Sequence, residues 1–131
     1  MNAPSEDTKD MLVAGGLGLT FGGNLHIGKE PASPRNCVTI FDPPGYTHDL
    51  SLSNQGYERP SIQIRVRNSS YVNGWTMANG IKDLLHGKKQ ETWNGALYTV
   101  IYCSNGPALL DWDDSNNARF IINFNIQRRA V

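Results

Sequence analysis

The sequence predicts an α+β domain: an antiparallel-rich β-sheet flanked by a short N-terminal helix and one longer central helix. Three observations carry that prediction. Apolar and polar residues alternate in "SIQIRVRN" (Ser61–Asn68) and in "FIINFNIQ" (Phe120–Gln127), the period of strands with one buried face. Between them, "SSYVNGWTMANGIKDLLHGKK" spaces its apolar residues at three- and four-residue steps, the period of an amphipathic helix. "QETWNGALYTVIYC" holds Asn94-Gly95, the pair that a type I′ turn favours between hairpin strands.

Taken in order, Ser5-Glu6-Asp7 starts the first helix, with acidic residues at the positive end of its dipole. Met11, Leu12 and Val13 turn inward before Gly15-Gly16 stops it. "LTFGGNLHIG" (Leu19–Gly28) reads as a glycine-interrupted strand or hairpin, and "KEPASPRN" as a turn segment. "CVTIF" (Cys37–Phe41) is a β-branched strand, and residues 43–59 form a long polar loop of the kind that usually carries function. After the strand Ser61–Asn68, Ser69 or Ser70 caps the central helix. Its inner stripe is Val72, Trp75, Ala78, Ile81 and Leu85, with Met77 and Leu84 beside it and Gly87 ending it. The hairpin leads to a second long loop, about 104–118, and then to the last strand, which turns Phe120, Ile122, Phe124 and Ile126 inward. The resulting order, α-β-β-β-α-β-β-β, fits one domain spanning 1–131, long enough to bury a core without staples.

Composition narrows the function classes. Twelve basic and twelve acidic residues cancel, which argues against a dedicated nucleic-acid binder. Cys37 and Cys103 sit in apolar strand-like runs and read as buried free thiols. The polar N-terminus has no apolar core of a signal peptide, and no run is apolar for long enough to span a membrane, so a reducing cytoplasm and no membrane are expected. The glycine cluster "GGLGLTFGG" follows a helix and opens a strand, the reverse of a phosphate-binding loop. His26, His48 and His86 lack paired-ligand spacing. His48-Asp49 has no nucleophile motif beside it, and His86 suits a helix C-terminus as an imidazolium. "DWDDSNN" (Asp111–Asn117) offers oxygen ligands but lacks the glycine and closing glutamate of a calcium loop, so it reads as a solvated hairpin tip. No catalytic residue, metal or cofactor is expected.

Tyr98 and Tyr102 fall with Val100 on one strand face, opposite Leu97, Ile101 and Cys103, so both faces of that strand are apolar. One small domain has too few helices to cover both, which makes coverage by a neighbouring subunit attractive.

The blocks "GLGLTFGGNLHIGKEPASPRNCVTIFDPPGYTHDL", "YERPSIQIRVRNSSYVNGWTMANGIKDLLHG" and "ARFIINFNIQRR", spanning about Met11 to Arg129, resemble the minor capsid, or tail terminator, proteins of long-tailed bacteriophages. "YERPSIQIRVR" is the most specific of them. The resemblance implies a non-enzymatic virion protein, assembled in the host cytoplasm, whose sheet joins its neighbours' in a homo-hexameric ring. That ring would sit on the tail tube protein, stop tube elongation, and meet the head-completion proteins of the neck, with genomic DNA passing through its channel. A neck or head-closure protein is the alternative within the class. A small hydrolase using His48 and Asp49, or a nucleic-acid module using Arg65, Arg67, Arg128 and Arg129, lies outside it.

In such a ring, Gln63, Arg65 and Arg67 face either the channel or a neighbouring copy. The channel would bring arginines to DNA phosphates, whereas the neighbour would pair Arg65 or Arg67 with Asp42, Asp49 or Glu58. The second is preferred, because arginine rings would hold DNA that has to slide. Tyr98 and Tyr102 join this interface set. Tyr46, His48 and Asp49 in one loop and Asp111, Asp113 and Asp114 in the other are the expected docking residues.

Overall fold

The computed structural model describes residues 1–45 and 56–131. Among these, the elements follow the expected order: α1 (Pro4–Ala14), β1 (Leu25–Ile27), β2 (Cys37–Phe41), β3 (Ser61–Asn68), α2 (Tyr71–Leu85), β4 (Lys89–Trp93), β5 (Ala96–Trp112) and β6 (Ala118–Ala130). The strands make one sheet, β1-β2-β3-β6-β5-β4, in which β1 runs parallel to β2 and every other neighbouring pair is antiparallel. The fold is the expected α+β type.

The core is the strand alternation realised. Ile62, Ile64 and Val66 of β3 lie opposite Phe124, Ile122 and Phe120 of β6, all buried, and α2 packs over these strands. Helix α1 starts with Pro4, where a missing N–H costs nothing. Its N-cap, Ala3, has no side chain to offer, so Asp42 at the end of β2 takes that role. Ser5 donates its backbone N–H to Asp42 Oδ1 at 3.0 Å and its hydroxyl to Oδ2 at 2.5 Å. Met11 and Leu12 are buried as expected, but Val13 faces solvent.

Further expectations need correction. The buried stripe of α2 is Gly74, Ala78, Ile81 and Leu85, whereas Val72 is 70% exposed and Trp75 39% exposed. The helix is capped by Ser70, whose Oγ accepts from the Asn73 N–H, and it is rolled so that glycine meets the sheet. The reason is Phe120: a Cβ at residue 74 would stand 2.7 Å from its Cε2. Trp75 lies edge-on to the same ring at 6.0 Å.

Another correction concerns the expected loop at about 104–118. The Asn94-Gly95 turn forms with both φ values positive, 50° and 79°, as a type I′ turn requires. Beyond it, β5 continues to Trp112, so the connection to β6 is only the turn at 113–117. Polar residues such as Ser104 and Asn105 stay in the strand because β6 pairs with them, and four register shifts absorb the misfit. Gly106, at φ 91°, permits one tight approach, since a Cβ there would meet Ile121 O at 2.6 Å.

The first shift, between Tyr98 and Val100, reverses the expected facing. Tyr98 joins Ile101 in the core and is fully buried, while Tyr102 lies on the opposite face, 42% exposed. Cys37 and Cys103 are both free, but only Cys37 is buried; Cys103 is half-buried.

Candidate functional site

The face of the sheet opposite the core carries the residues expected to act. Gln63 of β3 donates from Nε2 to Asn123 Oδ1 of β6 at 3.2 Å, and Asn123 Nδ2 donates to Asn105 Oδ1 of β5 at 2.6 Å. Arg65 Nε donates to Gln63 Oε1 at 3.1 Å, and its guanidinium lies 4.9 Å from the centre of the Phe41 ring. A polar ladder therefore crosses four strands, with Gln63 and Arg65 together at its centre, both half-buried. Among the described residues, the two Nη groups of Arg65 make no hydrogen bond.

Arg67 does not share that role. It is 7% exposed and held within its own chain: Nη1 pairs with Glu30 at 3.0 Å, while Nε and Nη2 donate to the carbonyls of Arg35 and Pro34. Its guanidinium is therefore satisfied by partners within its own chain. A strand period places its Cα but cannot show that the 28–36 connection folds over its head group.

Tyr98 is likewise removed from the interface set. Its hydroxyl donates to Asp7 Oδ2 and accepts from Arg128 Nη1 at 3.1 Å. Arg128, 4% exposed, also pairs with Glu58 at 3.0 Å and with Asp7 at 3.4 Å. Asn94, from the β4–β5 turn, donates to Asp7 Oδ1 at 2.7 Å. This buried cluster ties α1, the turn, β5 and β6 together. Its charges have the partners that burial demands. Burial, and then the hydrogen bond to Asp7, push the Tyr98 phenol above its ordinary value. With Arg67 and Arg128 both enclosed, the basic set that a nucleic-acid module would need is broken up. Of the acids expected to pair with Arg65 or Arg67 of another copy, Asp42 caps α1 and Glu58 holds Arg128, while Asp49 lies outside the described residues.

At the β5–β6 tip the three acids part company. Asp111 forms a bidentate pair with Arg119, both distances 2.6 Å, and that hydrogen-bonded guanidinium holds its carboxyl below the usual range. Asp113 accepts from the N–H groups of Asn117 and Ser115, so it shapes the turn. Asp114 is exposed and enters no ion pair among the described residues. Tyr46, His48 and Asp49 lie outside the described residues. His86 accepts the Cys103 N–H at Nδ1, 2.9 Å away. Among the described residues no group of three His, Cys, Asp or Glu side chains could hold a metal ion. No helix among them is long and apolar enough to cross a membrane.

Sequence reasoning missed one surface. Strand β4 pairs with β5 only from Ala96 to Val100; Lys88 and His86 then take the amides of Ile101 and Cys103. From Ser104 to Trp112 the outer edge of β5 has no strand beside it among the described residues. Leu109, Leu110 and Trp112 on this stretch are 40–51% exposed. Trp112 stacks with Tyr71 at 6.3 Å, so the patch continues onto the start of α2. The signal was present in "PALLDW", an apolar run in what reads as a polar loop.

Residues 8–129 match the family model described as bacteriophage tail terminator protein. The chain belongs to the bacteriophage tail terminator family. It is therefore a structural tail protein of the virion, one that assembles with other virion proteins, and its family is not a class of enzymes. Among solved structures, a chain of the virion of a native gene transfer agent particle is similar in fold, with a TM-score of 0.68. The two are 13% identical over 96% of this chain and 94% of that one. No curated protein matches the chain.

Proposed function

We propose that this tail terminator forms a homo-hexameric ring on top of the tail tube, stops further addition of tube subunits, and joins the tail to the proteins of the neck. The observation that carries this reading is the family match across residues 8–129. The open β5 edge and its apolar patch support it, because a ring subunit needs surface left over for its neighbours. Gln63, Arg65 and Tyr102, on the accessible face of the sheet, stay in the proposed interface or channel set. Asp114 remains a docking residue.

The test is electron microscopy of lysates from phage in which this gene is interrupted, with and without complementation by the intact gene. The expected outcome is tails of excessive, uncontrolled length beside full heads without tails, corrected by complementation. Tails of normal length unattached to heads would move the protein to the neck, and intact joined virions would overturn the assembly role.

A further inference from the structure

We propose that copies of this chain assemble head to tail, the β5–β6 tip of one copy seating in the groove beside β1 of the next. The inference rests on the ring reading above and supplies its contact. The β5 edge leading to the tip is apolar, while the turn itself, 113–117, is polar. Leu109, Leu110 and Trp112, with Tyr71 and Trp75 behind them, expose roughly 500 Å² of apolar surface, near the upper end of the largest patch on an ordinary monomer. Adding the bare edge of β5 brings the surface towards the ~800 Å² that each partner contributes to a stable interface.

The receptor lies at the other edge of the sheet, where β1 is the outermost strand. A groove of about 750 Å³ opens there, lined by Phe21, Ile27, Pro31 and Ala32 together with the polar His26, Lys29, Glu30 and Arg67. Phe21 is 52% exposed, with the Lys9 ammonium 4.8 Å from the centre of its ring. Charge fits the same pairing. Lys29 is exposed and enters no ion pair among the described residues, and the tip ends in the equally exposed, unpaired Asp114. Two tips meeting each other would oppose acid to acid.

Other edges fit less well. The outer side of β1 is occupied by its own turn, since Gly22 donates to Leu25 O and Leu25 donates to Thr20 O. β4 presents Lys89 and Glu91, the charged residues that blunt a strand edge. The groove, rather than a further strand pairing, is therefore the receptor. Because tip and groove are different surfaces, each subunit has one of each to give, and the contact repeats until the rotation closes a ring.

Native mass spectrometry of the purified full-length chain tests this with Leu110→Asp at the tip, Phe21→Asp in the groove, and an equimolar mixture of the two. The wild type is expected to form oligomers, and each variant alone to be monomeric with a wild-type circular dichroism spectrum. The mixture should give a one-to-one heterodimer and nothing larger, since it retains one intact tip and one intact groove. A mixture that stays monomeric, a Leu110→Asp protein that assembles like the wild type, or a monomeric wild type would each overturn the contact. A charge swap tests it without apolar disruption. Asp114→Lys and Lys29→Asp should each weaken assembly by up to about fivefold and together restore it; no recovery in the double variant overturns the pairing. Tail length reports separately: a monomeric chain that still limits tails retires this contact and keeps the terminator role, whereas a ring that leaves tail length unchanged does the reverse.

Discussion

The two halves of the β5–β6 hairpin are stabilised by different physics. Near the Asn94-Gly95 turn, Tyr98 and Arg128 are buried with Asp7, a residue 121 positions from Arg128, and every charge has a partner inside the chain. At the far end, Leu109, Leu110 and Trp112 stand in solvent although their residue types belong in a core. The charged "QRRA" ending contributes Arg128 to the sealed half, and the apolar "PALLDW" run lies in the open one. Residue type thus says less about role than whether a distant segment supplies a cover. Helix α1 supplies Asp7 to the first half; at the second, Arg35 holds the turn and Tyr71 stacks on Trp112, yet Leu109, Leu110 and Trp112 stay exposed.

Removing one partner from the sealed half breaks the contrast most severely. Arg128→Ala leaves the Asp7 carboxylate buried without its cation, which is expected to cost about 3–5 kcal/mol of unfolding free energy. Trp112→Ala in the open half should cost less than about 1 kcal/mol, because nothing buried loses a partner. Urea denaturation of both variants measures the gap, and equal losses would contradict the division.

A middle-sized effect is expected where α2 meets the open half. Gly74→Ala gains about 1 kcal/mol of helix propensity but drives a methyl to 2.7 Å from the Phe120 ring and 3.1 Å from Asn68 Cβ, so overpacking of about 1–3 kcal/mol should win. Gly80→Ala meets only Leu17 Cδ2, at 3.3 Å, on a side chain that can move, and is expected to stabilise by about 0.5–1 kcal/mol. Melting temperatures that shift in opposite directions would confirm the assignment.

The smallest effect concerns pH. The folded protein holds the Tyr98 phenol protonated, through burial and the Asp7 carboxylate. As pH rises past about 10 the unfolded chain loses this proton first, so its contribution is complete below that pH and fades above it. Tyr98→Phe should be less stable by about 1 kcal/mol at neutral pH. Its urea midpoint should also fall less steeply than that of the wild type above about pH 10.

Much of the fold was legible because short-range patterns decide it. β3 begins and ends where its alternation does, β2 where its β-branched run does, and Asn94-Gly95 turns with the positive φ values of a type I′ turn. β5 was less legible. A bulge after Tyr98 changes which face the residues up to the next shift occupy, three further shifts follow, and each answers to the register of β6, not to the sequence around it. α2 was placed correctly but rolled wrongly, because the bulk of Phe120 across the interface makes Gly74 the inner residue. Of the expected site, Gln63, Arg65, Tyr102 and Asp114 remain accessible, while Arg67 and Tyr98 do not.

By itself the sequence determined the element order, the inward apolar rows of β3 and β6, and the family resemblance, because these depend on residue type and spacing along one chain. Only the tertiary structure decided which arginines are charges available to others. A guanidinium is enclosed or free according to segments far away in sequence: the 28–36 connection over Arg67, and Asp7 of α1 and Glu58 beside Arg128. Only it showed, too, that "PALLDW" lines a strand edge with no neighbour among the described residues, since whether an edge is covered depends on how far the next strand runs, and β4 stops pairing at Val100.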